Sequence, residues 1–378
     1  MWFLNPSLLP YMPIHLIPWI LSSGGLYLFY QKKSSIMKKY GFLLLLIILV
    51  ASCAPAKKIL NRVNERFPNA PGKMQKVATG IHWYAWLGRD SILKRNESIN
   101  VIDIDLKKAK VKFDYAWFND PLKRKTVSAV ADTANAIIAA NSGYFEILEN
   151  NTYVSYHKSN GKVDQTVTIP TTHQRYWKHQ AAMVQTAEKS FAFIQGTQEL
   201  YEKLPYDNVI SSAPLLVSDG VPVGKYFVKQ KTGDKSQLEG ENPERHQSGS
   251  GPRMAFGTTT NDHFLIVCID GRSNRAEGIN AEELTDFFYN YLHASNGINM
   301  DGGGSISLFV RGATPTGVVN YPSDNRKTDP NYFEHAGQRK VGMALLVIPK
   351  DEKTLRKMQQ IKVLADGSAK DYIDLPKK

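Results

Sequence analysis

Residues 297–310 read GINMDGGGSISLFV, and this is where the chain offers chemistry. A lone carboxylate, Asp301, follows an apolar run and is followed by Gly302, Gly303, Gly304 and Ser305 before apolar alternation resumes at Ile306, Leu308 and Val310. Three successive glycines weaken a strand, because they add backbone entropy and give no side chain to pack. They are tolerated where the chain turns sharply or where the backbone must come close to a ligand. Bared amide N–H groups in such a turn form a nest that binds anions. An acid beside that nest suits chemistry on a phosphorylated substrate. Taken alone, the stretch reads equally well as a glycine-rich hairpin corner.

Three further segments carry polar groups at chain reversals: NSGYFE at 141–146, PRMAFG at 252–257 and IDGRSNRAEG at 269–278. The elements around them are legible. Alternation predicts strands at 81–87, 98–106 and 111–117, a short helix at 127–134, and an apolar strand at 136–140 that runs straight into Asn141. Residues 181–185 and 190–194 read as a hairpin, as do 253–258 and 263–270 across 260–262. The apolar run 209–218 ends in the turn Asp219-Gly220, and 340–348 is a final strand.

One helix is explicit. Asn280 is its N-cap with Glu283 three residues on, Ile279 and Leu284 form a hydrophobic staple, and Leu284, Phe287, Phe288, Tyr291 and Leu292 share one face. Its task is to set residues 270–278 and Asp301 on one side of a sheet. Residues 147–180 are polar and irregular; His157, His173 and His179 lack metal-ligand spacing, so the stretch reads as a surface insertion. Residues 229–251 have no periodicity and read as a mobile loop, a candidate lid. The fold class is α+β, with a mixed, twisted sheet core, packed helices and a single catalytic domain.

Together the four segments resemble the phosphodiester glycosidase domain family, whose pattern runs NGGFF, PRTAIG, DGR with a glycine-containing loop, then NLDGGGS. Ser142, Tyr144, Met254-Ala255-Phe256 and Met300 are mild departures, and the likeness covers roughly residues 76–350. The resemblance implies hydrolysis of a sugar-1-phosphodiester, such as a GlcNAc-1-phosphate diester, at the anomeric carbon. It makes Asp301 the first choice for base or nucleophile, with Asp270 the second candidate. Arg253 and Arg272 become the phosphate clamp, since guanidinium meets phosphate oxygens in pairs. Gly302, Gly303 and Gly304 would add backbone donors beside Ser305, while Asn141 and Glu146 would position sugar hydroxyls or a water. No cofactor is required, although Asp270, Asp301 and Glu146 could instead form an oxygen site for Ca or Mg. The alternative is a non-catalytic glycan-binding lipoprotein on the same fold.

The chain's start suggests export. Met37-Lys38-Lys39 and the apolar 42–50 resemble a secretory signal over 37–52, closed by Val50-Ala51-Ser52-Cys53, a lipobox-like end with Cys53 as the lipidated residue. Residues 1–36 read as a translated upstream stretch or a second hydrophobic segment. Residues 53–75 form a tether and 351–378 a charged tail. The expected location is a bacterial cell envelope, lipid-anchored to the membrane. Residues 1–52 hold four lysines and no acid, so the remainder carries a formal charge of +8, suited to an anionic substrate. No nucleic-acid motif is present. After Cys53 only Cys268 remains, inside an apolar run, so the core and not a disulfide must hold the fold.

Overall fold

The structure is a computed structural model that describes residues 75–354 except 119, 146–152, 230–232 and 327–332. The leader, Cys53, the tether up to residue 74, Glu146 and the tail beyond 354 lie outside the described residues. Those described belong to one compact unit.

Seven strands make the largest sheet, adjacent in the order β1 (Gln75–Ala78), β2 (Ile81–Arg89), β3 (Asn96–Asp105), β13 (His263–Ile269), β12 (Arg253–Thr259), β14 (Ala294–Asn299) and β11 (Leu215–Val217). A four-stranded sheet orders β15 (Leu308–Val310), β5 (Ile138–Asn141), β16 (Met343–Pro349) and β4 (Val111–Trp117). A five-stranded sheet orders β7 (Lys162–Gln165), β6 (His157–Ser159), β10 (Asn208–Ser212), β8 (Ala181–Ala187) and β9 (Ser190–Gln195). The pairings within these sheets are antiparallel. With few short helices packed on them, this is an α+β fold in which strand predominates.

Both faces of the large sheet are buried, which is why 264–269 is apolar without interruption. Phe264, Ile266 and Cys268 point to the inner core, with Phe113, Leu345 and Met183 of the other two sheets. Leu265, Val267 and Ile269 point the other way, toward Leu284, Phe287, Phe288 and Leu292. The Asn280 capping box forms as its spacing predicts. The α-helix, however, runs only over Ala281–Asp286, and Phe287–Tyr291 widen into a π-turn. The wider turn keeps Leu284, Phe287, Phe288 and Leu292 all fully buried. The Phe288 ring lies over Gly257 and Gly297, cross-strand partners at which a β-carbon would come within 2.8 and 2.7 Å of it. The last glycine of PRMAFG therefore serves helix packing.

The apolar run 209–218 divides between two sheets: β10 belongs to one and β11 to another, and Pro214, which has no N–H to give a ladder, stands between them. One reading needs correction. Residues 153–180 are not a surface insertion. β6, β7 and the 3₁₀ turn Tyr176–His179 are built into the body, with His157 and His179 fully buried. Strands of three and four residues are too short for alternation to register.

Register delivers the polar segments to one place. Arg253 opens β12 opposite Ile269, the last residue of β13, while Asn299, the last residue of β14, pairs with Ala255. Arg253, Asp270 and Asp301 thus emerge at the same end of three neighbouring strands.

Candidate active site

Asp301 is fixed through its own main chain. Its N–H donates to the Ser142 carbonyl at 2.9 Å, and its carbonyl accepts from Asn141 Nδ2 at 2.7 Å. The adjacent Met300 N–H donates to the Met254 carbonyl at 2.7 Å, and the Gly303 N–H to the Pro252 carbonyl at 2.9 Å. Asn141 also accepts from the Ser307 N–H at 3.0 Å, so it spans the turn on both sides. It is 1 % exposed and absent from the pocket wall, which makes it a positioning residue and not a contact for sugar.

The Asp301 side chain faces a pocket of about 590 Å³, within the range of small-ligand sites. Arg175, Lys178, Arg245, Arg253, Arg272 and Arg339 line it, against only Asp301 and Glu241 as acids. Six cationic side chains to two carboxylates is a wall built for an anion. Burial pushes the Asp301 carboxyl up to about 6, against the Ser305 hydroxyl and the Lys178 and Arg339 cations, with Glu241 adding to the rise. Burial also pushes the His246 imidazole down to about 3, helped by Lys178 and Arg253, so this ring is neutral at physiological pH.

The glycines have distinct reasons. A β-carbon on Gly302 would stand 2.7 Å from the Pro252 carbonyl oxygen, and on Gly304 it would collide with the Arg339–Asp324 pair. Gly303 has φ of 60°, and a β-carbon there would come within 3.1 Å of the Arg272 guanidinium. The turn is bare because guanidinium groups and backbone crowd against it on three sides. Arg339 holds Asp324 with two bonds of 2.7 and 3.0 Å and reaches Ser305 Oγ at 3.4 Å.

The two predicted clamp arginines differ. Arg272 is exposed on the pocket wall, sits in the left-handed region with φ of 62°, and has no side-chain partner among the described residues. Such backbone strain is held where the surroundings over-determine it. Arg253 is 4 % exposed and committed to protein acceptors: Ile279 O at 3.0 Å, Gln247 Oε1 at 2.9 Å, His246 O at 3.3 Å and Gly249 O at 2.8 Å. It lines the pocket, but its geometry anchors the segment around the helix Pro243–Ser248, which forms one wall.

Asp270 departs further from its expected place. It is 1 % exposed and is not on the pocket wall. Its carboxylate accepts from Ser98 Oγ at 2.6 Å, Asn320 Nδ2 at 3.1 Å and the Tyr321 N–H at 2.9 Å. These contacts tie it to the segment that leads on to Asp324, the partner of Arg339. Of the cation site considered for Asp270, Asp301 and Glu146, Glu146 lies outside the described residues, and among those described no three His, Cys, Asp or Glu converge on a metal position. Cys268 is fully buried, and burial raises its thiol well above the usual value, which removes it as a nucleophile.

Several pocket residues carried no sequence signal. Lys178 is 8 % exposed, its ammonium lies 4.8 Å from the Tyr144 ring centre, and it pairs with Glu241 at 2.6 Å. Arg175 and Arg339 arrive from irregular segments, and Arg245 and His246 from the short helix Pro243–Ser248, in a stretch without sequence periodicity.

A family model for phosphodiester glycosidase matches residues 134–348. The SPbeta prophage-derived uncharacterized protein YomE of Bacillus subtilis is 26% identical over 230 residues, which cover 56% of this chain and 32% of that protein. The matched part thus spans about a third of that relative's length. Among solved structures, the catalytic domain of zebrafish N-acetylglucosamine-1-phosphodiester alpha-N-acetylglucosaminidase, auto-inhibited by its pro-peptide, is similar with a TM-score of 0.54 at 19% identity, over 74% of this chain and 87% of that one. A putative exported protein from Burkholderia pseudomallei gives 0.46 at 15% identity, over 68% and 75%.

Proposed function

This chain belongs to the phosphodiester glycosidase family, and from that membership we propose that it hydrolyses the bond between an anomeric carbon and a phosphodiester on a glycan, with Asp301 as base or nucleophile. The observation that carries the reading is a single elevated carboxylate, Asp301, in a pocket whose wall holds six cationic side chains.

The chemistry follows from the leaving group. Most glycosidases must protonate a poor alkoxide and keep a second carboxyl for it. A departing phosphate monoester has a last ionisation near pH ~6, so it takes the bonding electron pair without needing a proton. As the C1–O bond breaks, positive charge builds on the sugar ring and negative charge on the phosphate. Asp301, ionised above about pH 6, either removes a proton from the attacking water or bonds to C1 itself. Arg272 and Lys178 face the developing phosphate charge, while the Gly303 N–H of the glycine turn is already given to the Pro252 carbonyl. One acid in the pocket floor is then enough, and Asp270 is not needed for proton transfer.

The test offers the protein GlcNAc-α-phosphoryl-mannose and a panel of other sugar-1-phosphodiesters and looks for the free sugar. Wild type should turn over at least one member, and Asp301→Asn should bind it without turnover. A glycan-binding protein of the same fold would turn over none, and Asp301→Asn would change affinity alone. The reading includes export and a lipid anchor on Cys53, supported by the lipobox-like sequence. Replacing Cys53 with Ala should move the protein from the membrane to the soluble fraction, and unchanged fractionation would remove that part.

A further inference from the structure

Glu241 lies in the pocket wall 2.6 Å from Lys178 Nζ and 3.5 Å from Arg175 Nε. Lys178 has support apart from it, being almost enclosed and standing over the Tyr144 ring, and the neighbouring Trp177 donates its Nε1–H to the Glu241 carbonyl at 2.9 Å. Its side chain is 31 % exposed overall, although the paired oxygen Oε2 is buried. Partial burial works against its charge, but the Lys178 pair outweighs burial and holds the carboxyl below the usual range. It is therefore an anion at neutral pH.

The other pocket cations are arranged differently. Arg339 is locked in a two-bond pair with Asp324, Arg253 is spent on protein acceptors, and Arg272 has no side-chain partner among the described residues. Among the described residues, Lys178 and Arg175 are the pocket cations whose carboxylate partner, Glu241, itself lies in the pocket wall; Asp324, the partner of Arg339, does not. Carboxylate and phosphate oxygens make the same charge-assisted bonds to ammonium and guanidinium groups.

We propose that Glu241 is an internal competitor for phosphate: its carboxylate neutralises Lys178 and Arg175 until a phosphodiester enters, and then gives them up. This rests on the phosphodiester reading of the pocket. The exchange has a consequence for selectivity. An anionic substrate can replace the carboxylate charge for charge, whereas a neutral glycoside would leave two cations unmatched and so cannot drive Glu241 away. The residue thus selects against uncharged glycosides by penalising them and not by attracting the right one.

Calorimetric titration of inorganic phosphate and of GlcNAc 1-phosphate into the full protein tests this, with Glu241→Gln, Glu241→Asp and Arg272→Ala as comparisons. Removing the competing charge should tighten phosphate binding about tenfold in Glu241→Gln. Glu241→Asp, which keeps the charge, should bind as wild type does, and Arg272→Ala should bind more weakly. Equal or weaker binding by Glu241→Gln would overturn the exchange, since a residue that merely oriented Lys178 would lose affinity when neutralised. If Arg272→Ala weakens binding while Glu241→Gln changes nothing, the exchange fails and the phosphodiester reading stands. If neither ligand binds wild type or Glu241→Gln, both fall.

Discussion

Asp270 and Asp301 have nearly the same address in the sequence and opposite fates in the fold. Each follows a strand of the same sheet by one or two residues, each precedes a glycine, and each leaves the sheet at the same end. Asp270 turns inward and meets three donors from Ser98, Asn320 and Tyr321. Asp301 turns into the pocket, where Ser305 is the side chain bonded to it and burial lifts its carboxyl to about 6. Local sequence brings an acid to the pocket end of the sheet. What the acid does is decided by donors that come from elsewhere in the chain.

The comparison can be broken by exchanging one carboxylate at a time. Asp301→Asn removes the charge and keeps the shape; turnover should fall about 10²–10⁴-fold, the range for a general base, with the melting temperature held or raised because a costly buried charge is gone. Initial rates and a melting curve on the same preparation check both. Asp270→Ala should reverse the pattern: three donors lose their acceptor, costing about 2–4 kcal/mol of stability in denaturant unfolding, while the folded fraction keeps substantial turnover. An Asp270→Ala protein that stays as stable as wild type but loses all activity would put Asp270 back in the chemistry.

The two arginines extend the contrast at smaller scale. Arg272→Ala should raise KM about 10-fold or more with little change in melting temperature, because its side chain has no partner among the described residues to lose. Arg253→Ala should act chiefly on stability, since four protein acceptors lose their donor.

Much of this was legible in the sequence. The resemblance implied that the polar segments share one site, while the hairpin of β12 and β13 and the capping box at Asn280 follow from alternation and spacing. Those signals are local and periodic. The finer sorting was not legible, because it depends on long-range partners. Arg253 looks like a clamp until the carbonyls of Ile279, His246 and Gly249 surround it. Asp270 looks catalytic until Asn320 and Tyr321 arrive from fifty residues away. Lys178, Glu241 and Arg339 come from stretches with no period, so nothing in their neighbourhood marks them. Gly257 belongs to the PRMAFG segment, yet its bareness, like that of Gly297, makes room for Phe288.

The pH dependence of kcat/KM on a sugar-1-phosphodiester tests the central claim most directly. Because the Asp301 carboxyl titrates at about 6 and works as the carboxylate, activity should be full above that pH and fall about tenfold per unit as pH drops below it. A profile flat from pH 8 down to about 4.5, the range of an ordinary exposed carboxyl, would contradict an elevated Asp301 as the group on which turnover depends.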